Sequence, residues 1–260
     1  MYLVAVLSED PALCEALGSF RDPEGRYLLH PVPNRNTNDV MASLTVLDFA
    51  GALIFGERLQ HDVVPSTQRH SLEAQSIGAA DTVTVTPGGL IAEYNLGRAV
   101  GALLRSVGWD GREAKAVLVG GGPSSKGTAR ELASLGVARL TVLAENRPAA
   151  EEVTSKLAAS TEVISRAALD PLGVRFLEEA DLVIRTDPSL ELPARVLGPH
   201  LTLIDMAPTE VSPLRQHALS VGSLSFNLRD VQAHLIALGL SHILGGSILA
   251  GAFLNQLHEA

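Results

Sequence analysis

The sequence predicts an α/β protein of two parts: an N-terminal α/β domain of substrate-binding type, then a doubly wound, Rossmann-like domain built to hold a dinucleotide. Three observations carry this. Strand-like and helix-like stretches alternate through both halves of the 260 residues, interrupted at Gly108-Trp109-Asp110-Gly111, where two glycines bracket an aromatic. The apolar runs of the second half are continuous, as strands buried on both faces require. The run Val117-Leu118-Val119-Gly120-Gly121-Gly122-Pro123-Ser124-Ser125-Lys126-Gly127 reads as buried strand, glycine turn and helix start. The domains are expected at 1–108 and 109–227, with closing helices over 228–260 packing back on the first.

In the first part, Tyr2 to Leu7 is a short apolar strand, and Asp10-Pro11 opens a helix running to about Phe20, with proline at the first helical position. Tyr27 to Val32 is extended, Asn38 to Phe49 helical, Gly51 to Phe55 a strand, and His61 to Ser76 helical. Thr82 to Thr86 and Leu90 to Tyr94 flank Pro87-Gly88-Gly89 as a hairpin, and a helix follows from Leu96 to Val107. In the second part, strands are expected at Ala116–Val119, Leu140–Leu143, Val163–Ile164, Leu182–Arg185 and Leu201–Met206. Helices are expected at Pro123–Leu135, stopped by Gly136, and at Pro148–Ala158. Leu228 to His258 is helical with a break at Gly245-Gly246.

Composition narrows the function. A net charge of −9 disfavours nucleic acid and anionic membranes as partners, since both need a basic surface. The single cysteine, Cys14, excludes an internal disulfide and suits a reducing compartment. Without a basic-then-apolar leader or an 18-residue apolar span, the expectation is a soluble cytoplasmic protein. A small-molecule substrate or ligand is the expected partner, and a homodimer is left open.

The glycine turn carries the chemistry. Gly120 permits the tight reversal, Gly121 and Gly122 let backbone N–H groups approach a pyrophosphate, and the helix opening at Pro123, Ser124 and Ser125 adds its positive end. Ser125 stands where a third Gly or Ala is usual, and a purely structural turn is the competing reading. An NTPase phosphate loop needs Gly-Lys-Ser/Thr, whereas Lys126 precedes Gly127 here. At the end of the second strand, Glu145 is placed to take ribose hydroxyls and favour NAD. NADP is nonetheless the expected cofactor, with NAD the alternative, on the strength of Asn146-Arg147 as read below. Thr186, after the Leu182–Arg185 strand, is the expected nicotinamide-side contact.

Several strings resemble the shikimate/quinate dehydrogenase family. Phe49-Ala50-Gly51-Ala52 is similar to the start of its F-x-G-x-N-V-T-x-P-x-K segment, and Ile77-Gly78-Ala79-Ala80-Asp81-Thr82-Val83 to its I-G-A-x-N-T-V. Tyr94-Asn95 with Gly97 resembles Y-N-T-D-G, Asn146-Arg147 resembles N-R-T, and Asp205-Met206 with Ser212-Pro213-Leu214 resembles D-M-x-Y-x-P-x-x-T-P-L-L. The resemblance spans about residues 45 to 245. It implies hydride transfer to or from a nicotinamide, with an arginine at Arg147 pairing the 2′-phosphate of NADP.

The departures concern the chemistry. The resemblance puts the family's general acid/base lysine at Leu59, and the chain has no lysine before Lys115. Its aspartate falls on Gly97, its asparagine on Asp81, and the catalytic residues are therefore unknown, with Asp81 and His61 as replacement candidates. Arg58, Asp81, Tyr94 and Asn95 are the candidate substrate contacts; Gln232 is a candidate stand-in for the family's C-terminal glutamine. His61 and His70, nine apart on one regular helix, would face opposite ways and make a poor metal pair, so no metal is expected. Two functions remain: an oxidoreductase acting on a hydroxy- or keto-acid other than shikimate, and a pseudoenzyme that binds a nucleotide or metabolite as a sensor.

Overall fold

The computed structural model describes residues 1–33, 36–157, 161–208 and 212–259. Two compact units are present, Met1–Leu96 with Gln232–Ala260 and Gly97–Val231.

In the first unit, β1 (Tyr2–Ser8), α1 (Pro11–Ser19), β2 (Tyr27–Pro31), α2 (Thr37–Val46) and β3 (Phe49–Phe55) make a parallel start. Then come α3 (Glu57–Val63), β4 (Arg69–His70), α4 (Leu72–Ile77) and the hairpin β5 (Thr82–Thr86) and β6 (Gly89–Glu93). The sheet order is β2-β1-β3-β5-β6-β4, with β5 antiparallel to both neighbours. Asp10 caps α1 by accepting from the Ala12 and Leu13 amides, with Pro11 at the first helical position. From Gln232 onward, α10 (Leu228–Leu244) lies directly on β3. A Cβ at Gly239 would stand 2.4 Å from Leu53, and one at Gly51 would stand 2.8 Å from Ile243. α11 (Gly251–His258) returns to α1, where Phe253 packs its ring 4.7 Å from Phe20.

Two expectations for this unit are corrected. The helix expected over 61–76 is broken after Val63: Pro65 sits in a 3-10 turn, β4 follows, and α4 restarts at a new cap, Ser71. His61 and His70 therefore lie on different elements, and reasoning from one helical wheel does not apply to them. The helix expected to reach Phe49 stops at Val46, because Asp48 turns the chain at φ 58° and Phe49 enters β3.

The second unit opens with α5 (Leu96–Ser106), and continues through β7 (Lys115–Val119), α6 (Gly122–Ser134), β8 (Arg139–Ala144), α7 (Arg147–Thr154) and β9 (Glu162–Ala167). α8 (Pro171–Glu178), β10 (Leu182–Arg185), β11 (Thr202–Asp205), α9 (Pro213–Ser220) and β12 (Leu224–Asn227) complete it. All six strands are parallel in the order β12-β11-β10-β7-β8-β9. The doubly wound arrangement reverses between β7 and β10, and the crevice at their carboxyl ends is where such sheets bind ligands. The strand expected as Val163–Ile164 is the longer β9. The helix expected from Pro148 to Ala158 is α7, and Ala158 lies outside the described residues. α5 sits close against α6: a Cβ at Gly97 would be 2.2 Å from the Gly127 carbonyl oxygen. Among the described residues, no helix is long and apolar enough to cross a membrane.

Candidate functional site

The turn after β7 leaves the strand at Val119 and enters α6 at Gly122. Gly120 has φ 141°, and a Cβ there would stand 2.2 Å from Thr186 Oγ1 and 3.0 Å from Ser125 Oγ. Only glycine fits that position, on conformational and on steric grounds. Gly122 also has positive φ, 74°. Gly121 faces open space, with no atom within 4 Å of where its Cβ would be. It serves as N-cap of α6 without a side-chain hydrogen bond, so the first turn of this 13-residue helix presents backbone N–H groups to an incoming anion.

Ser125 and Thr186, taken from the sequence as cofactor contacts, brace this turn. The Thr186 hydroxyl donates to the Val119 carbonyl at 3.2 Å, so Ser125, which is fully buried, donates to Thr186 Oγ1 at 2.6 Å. That bond ties α6 to the residue after β10, across the switch point. Pro123 is buried, and Ser124 is half-buried in the first helical turn.

At the end of β8, Glu145, Asn146 and Arg147 are all exposed. Asn146 caps α7 by accepting from the Ala149 amide, and Arg147 pairs with Glu151 one turn on, at 2.7 Å. Lys126 pairs with Glu152 of α7 at 2.6 Å, which holds Glu152 below the usual carboxylate range. The glycine turn thus offers main-chain donors, and Arg147 is an exposed cation at the end of β8.

One polar cluster of this unit is not foreseen from the sequence. Arg185 ends β10 and Asp205 ends β11 in paired register, both buried. The guanidinium donates from Nε and Nη2 to the two carboxylate oxygens at 2.9 and 2.8 Å. Asp205 also accepts from the Ala207 amide and the Ser212 hydroxyl, and Ser212 caps α9. Two opposite charges closing two apolar strands were the available signal.

In the first unit, Asp81 is buried at the start of β5. Its Oδ2 accepts from the amides of Asn95 and Leu96 at 2.6 and 2.8 Å, and its Oδ1 accepts from the Thr82 hydroxyl at 2.9 Å. Asn95 Nδ2 donates to Thr82 Oγ1 at 3.2 Å. Burial raises the Asp81 carboxyl to about 6, against those hydrogen bonds, which favour the anion. The structure thus joins two sequence candidates, Asp81 and Asn95, in one buried knot, with Tyr94 buried beside them. Arg58 and His61 sit on α3 and are engaged elsewhere. Arg58 pairs with Glu9 at 2.6 Å and Asp62 at 3.6 Å, and His61 Nδ1 donates to the Gly78 carbonyl at 2.7 Å. Gln232 is buried in α10.

Leu59, the position matched to the lysine, is fully buried in the core of the first unit with Leu7, Ile54 and Val63. Among the described residues, no three His, Cys, Asp or Glu side chains are grouped to hold a metal.

The architecture has close counterparts among solved structures. Shikimate 5-dehydrogenase from Thermus thermophilus, in complex with NADP(H) and shikimate, superposes with a TM-score of 0.79 at 19% identity, covering 100% of this chain and 99% of that one. Quinate dehydrogenase from Corynebacterium glutamicum, in complex with NAD, gives 0.80 at 17% identity, with 100% and 99% covered. This is the shikimate/quinate dehydrogenase fold. The ligand-free 5-ketofructose reductase of Gluconobacter sp. strain CHM43 shares it, with a TM-score of 0.74 at 20% identity over 99% of this chain and 98% of that one. No protein-family model and no curated protein matches the chain.

Proposed function

We propose that the chain is an NADP-dependent oxidoreductase on the shikimate dehydrogenase fold, acting on a hydroxy- or keto-acid other than shikimate, with NAD as the alternative cofactor. The observation that carries this is the glycine turn at the switch point. Its Gly120 is compelled by Thr186 and Ser125, its Gly121 is open to solvent, and its helix lacks a side-chain cap. A pyrophosphate fits such a cradle through main-chain N–H groups of Gly121, Gly122 and Ser124. Arg147, exposed at the end of β8, is the group to pair a 2′-phosphate, exchanging Glu151 for it; Glu145 is the group to take ribose hydroxyls if NAD binds. When bound, the nicotinamide supplies the hydride. Arg58 is the candidate fork for a substrate carboxylate, in exchange for Glu9.

A specific observation favours a second reading, a nucleotide-binding sensor without turnover. Leu59 is core, and Gly97 touches the Gly127 backbone, so neither position carries an acid/base group. Calorimetry with NADP, NADPH, NAD and NADH tests what the two readings share: binding of none of the four ends both. Given binding, reduced-nicotinamide absorbance with a panel of hydroxy- and keto-acids separates them. Turnover of any panel member supports the oxidoreductase; a thermal shift without turnover supports the sensor. Arg147→Ala is expected to weaken NADP about tenfold while leaving NAD within twofold, the loss of one charge-assisted contact.

A further inference from the structure

Among the described residues, β9 is the edge of the second sheet, next to β8 alone. The Glu162 and Ala168 amides donate to the Ala138 and Ala144 carbonyls of the β8 side. In a parallel ladder this periodicity turns the N–H and C=O groups of Glu162, Ile164 and Arg166 toward β8, and those of Val163 and Ser165 outward, while the Ala167 carbonyl accepts from the Asp170 amide at 3.0 Å. The outward row is a template for another strand. Apolar side chains flank it: Val163 is exposed on the strand, and Leu169 (94% exposed) and Leu172 follow in the turn and in α8.

What the row fits is written in its own charges. A second copy running antiparallel must match outward residues with outward residues. If Val163 faces the partner's Ser165, Ile164 meets its own copy on the two-fold axis. Glu162 then falls opposite the partner's Arg166, twice over, in the close, non-hydrogen-bonded type of pair. A slip of one hydrogen-bonded step in either direction loses both opposite-charge pairs. A short seam of this kind, repeated by symmetry, is isologous and closes on itself. We propose that β9 is a homodimer seam, in which two copies join their parallel sheets antiparallel about Ile164, with Glu162 of each facing the partner's Arg166.

Sedimentation velocity over the micromolar range is the test. The wild-type chain is expected to dimerise. Glu162→Lys or Arg166→Glu alone sets like charges opposite each other at two places, and each is expected to weaken the dimer about tenfold. An equimolar mixture of these two variants places Lys opposite Glu and Arg opposite Glu, and is expected to recover wild-type association as a heterodimer. Val163→Pro removes an outward N–H while leaving the bonds to β8 intact, and is expected to be monomeric with unchanged circular dichroism. It serves should Arg166→Glu fail to fold after losing its pairing with Asp170. A wild-type chain that stays monomeric, a Val163→Pro variant that dimerises normally, or singly reversed variants that weaken without recovering on mixing would each overturn the seam.

Discussion

Asp81 presents the sharpest quantitative expectation. Replacing it with alanine removes the acceptor for two buried backbone amides, Asn95 at 2.6 Å and Leu96 at 2.8 Å, at the start of α5. Each orphaned buried donor costs about 1–3 kcal/mol, so Asp81→Ala is expected to lose about 3–5 kcal/mol in urea unfolding of the unit that contains it. Asp81→Asn keeps an acceptor for both amides and is expected to stay within about 1 kcal/mol of wild type near pH 4, where the wild-type carboxyl is neutral as well. The pH dependence adds a sign. The folded-state carboxyl, at about 6, lies above its ordinary value of 3.8, so the folded protein holds the proton more tightly than the unfolded chain. Stability from this group is therefore full below about pH 4 and is lost as pH rises to about 6, by about 3 kcal/mol. Measured as wild type minus Asp81→Asn, the difference in unfolding free energy should fall by that amount across the window. A flat difference, or one that rises with pH, would mean that the amide and hydroxyl donors outweigh burial. A loss below 1 kcal/mol for Asp81→Ala would show that the Asn95 and Leu96 amides do not depend on it.

The remaining expectations follow from packing and pairing. Gly120→Ala should destabilise the second unit by about 1–3 kcal/mol and abolish NADP binding by calorimetry, since its Cβ meets Thr186 at 2.2 Å in a positive-φ conformation. Gly121→Ala, in open space, should melt within about 0.5 kcal/mol of wild type, and any loss of NADP affinity there reports on the ligand alone. Leu59→Lys puts an ammonium into a wholly apolar site, and thermal unfolding should show a loss of about 3–5 kcal/mol, with no gain of shikimate turnover. Arg185→Met leaves Asp205 buried with only Ala207 and Ser212, and should cost about 3–5 kcal/mol in urea; a cost below 1 would mean those two donors suffice.

Much of the architecture is legible because its signals are local. Asp10-Pro11 marks a helix start by the residues that cap it, and the apolar runs at 117–119, 140–143 and 182–185 mark strands buried on both faces. The same local signal stands at Asp170-Pro171 and Ser212-Pro213, which open α8 and α9. Those helices are short, and their apolar faces are too sparse to be noticed between strands. β9 is only half-buried, so its periodicity is weak beyond Val163 and Ile164. What sequence alone does not reveal is partnership over distance. Ser125 and Thr186 are 61 positions apart, and Asp81 and Asn95 are 14 apart. Each residue is visible as a polar candidate, but only the fold shows that one pair braces the glycine turn and the other ties the chain after β6 back to the start of β5. The absence of lysine before Lys115 is plain in the sequence; that Leu59 is core is not.

The close approach of α5 and α6 constrains what position 97 can carry. With the Gly127 carbonyl 2.2 Å from where a Cβ would stand, Gly97 accepts a side chain only after the two helices move apart. α6 begins at the glycine turn, so moving it disturbs the cradle that Ser125 and Thr186 fasten. An acid at position 97 is thus not one substitution away: neighbouring changes that widen the helix spacing must come first, each neutral or costly until the last arrives. Gly97→Asp made alone therefore acts on the glycine turn before it can act on any ligand: it loosens the start of α6 instead of adding an acid.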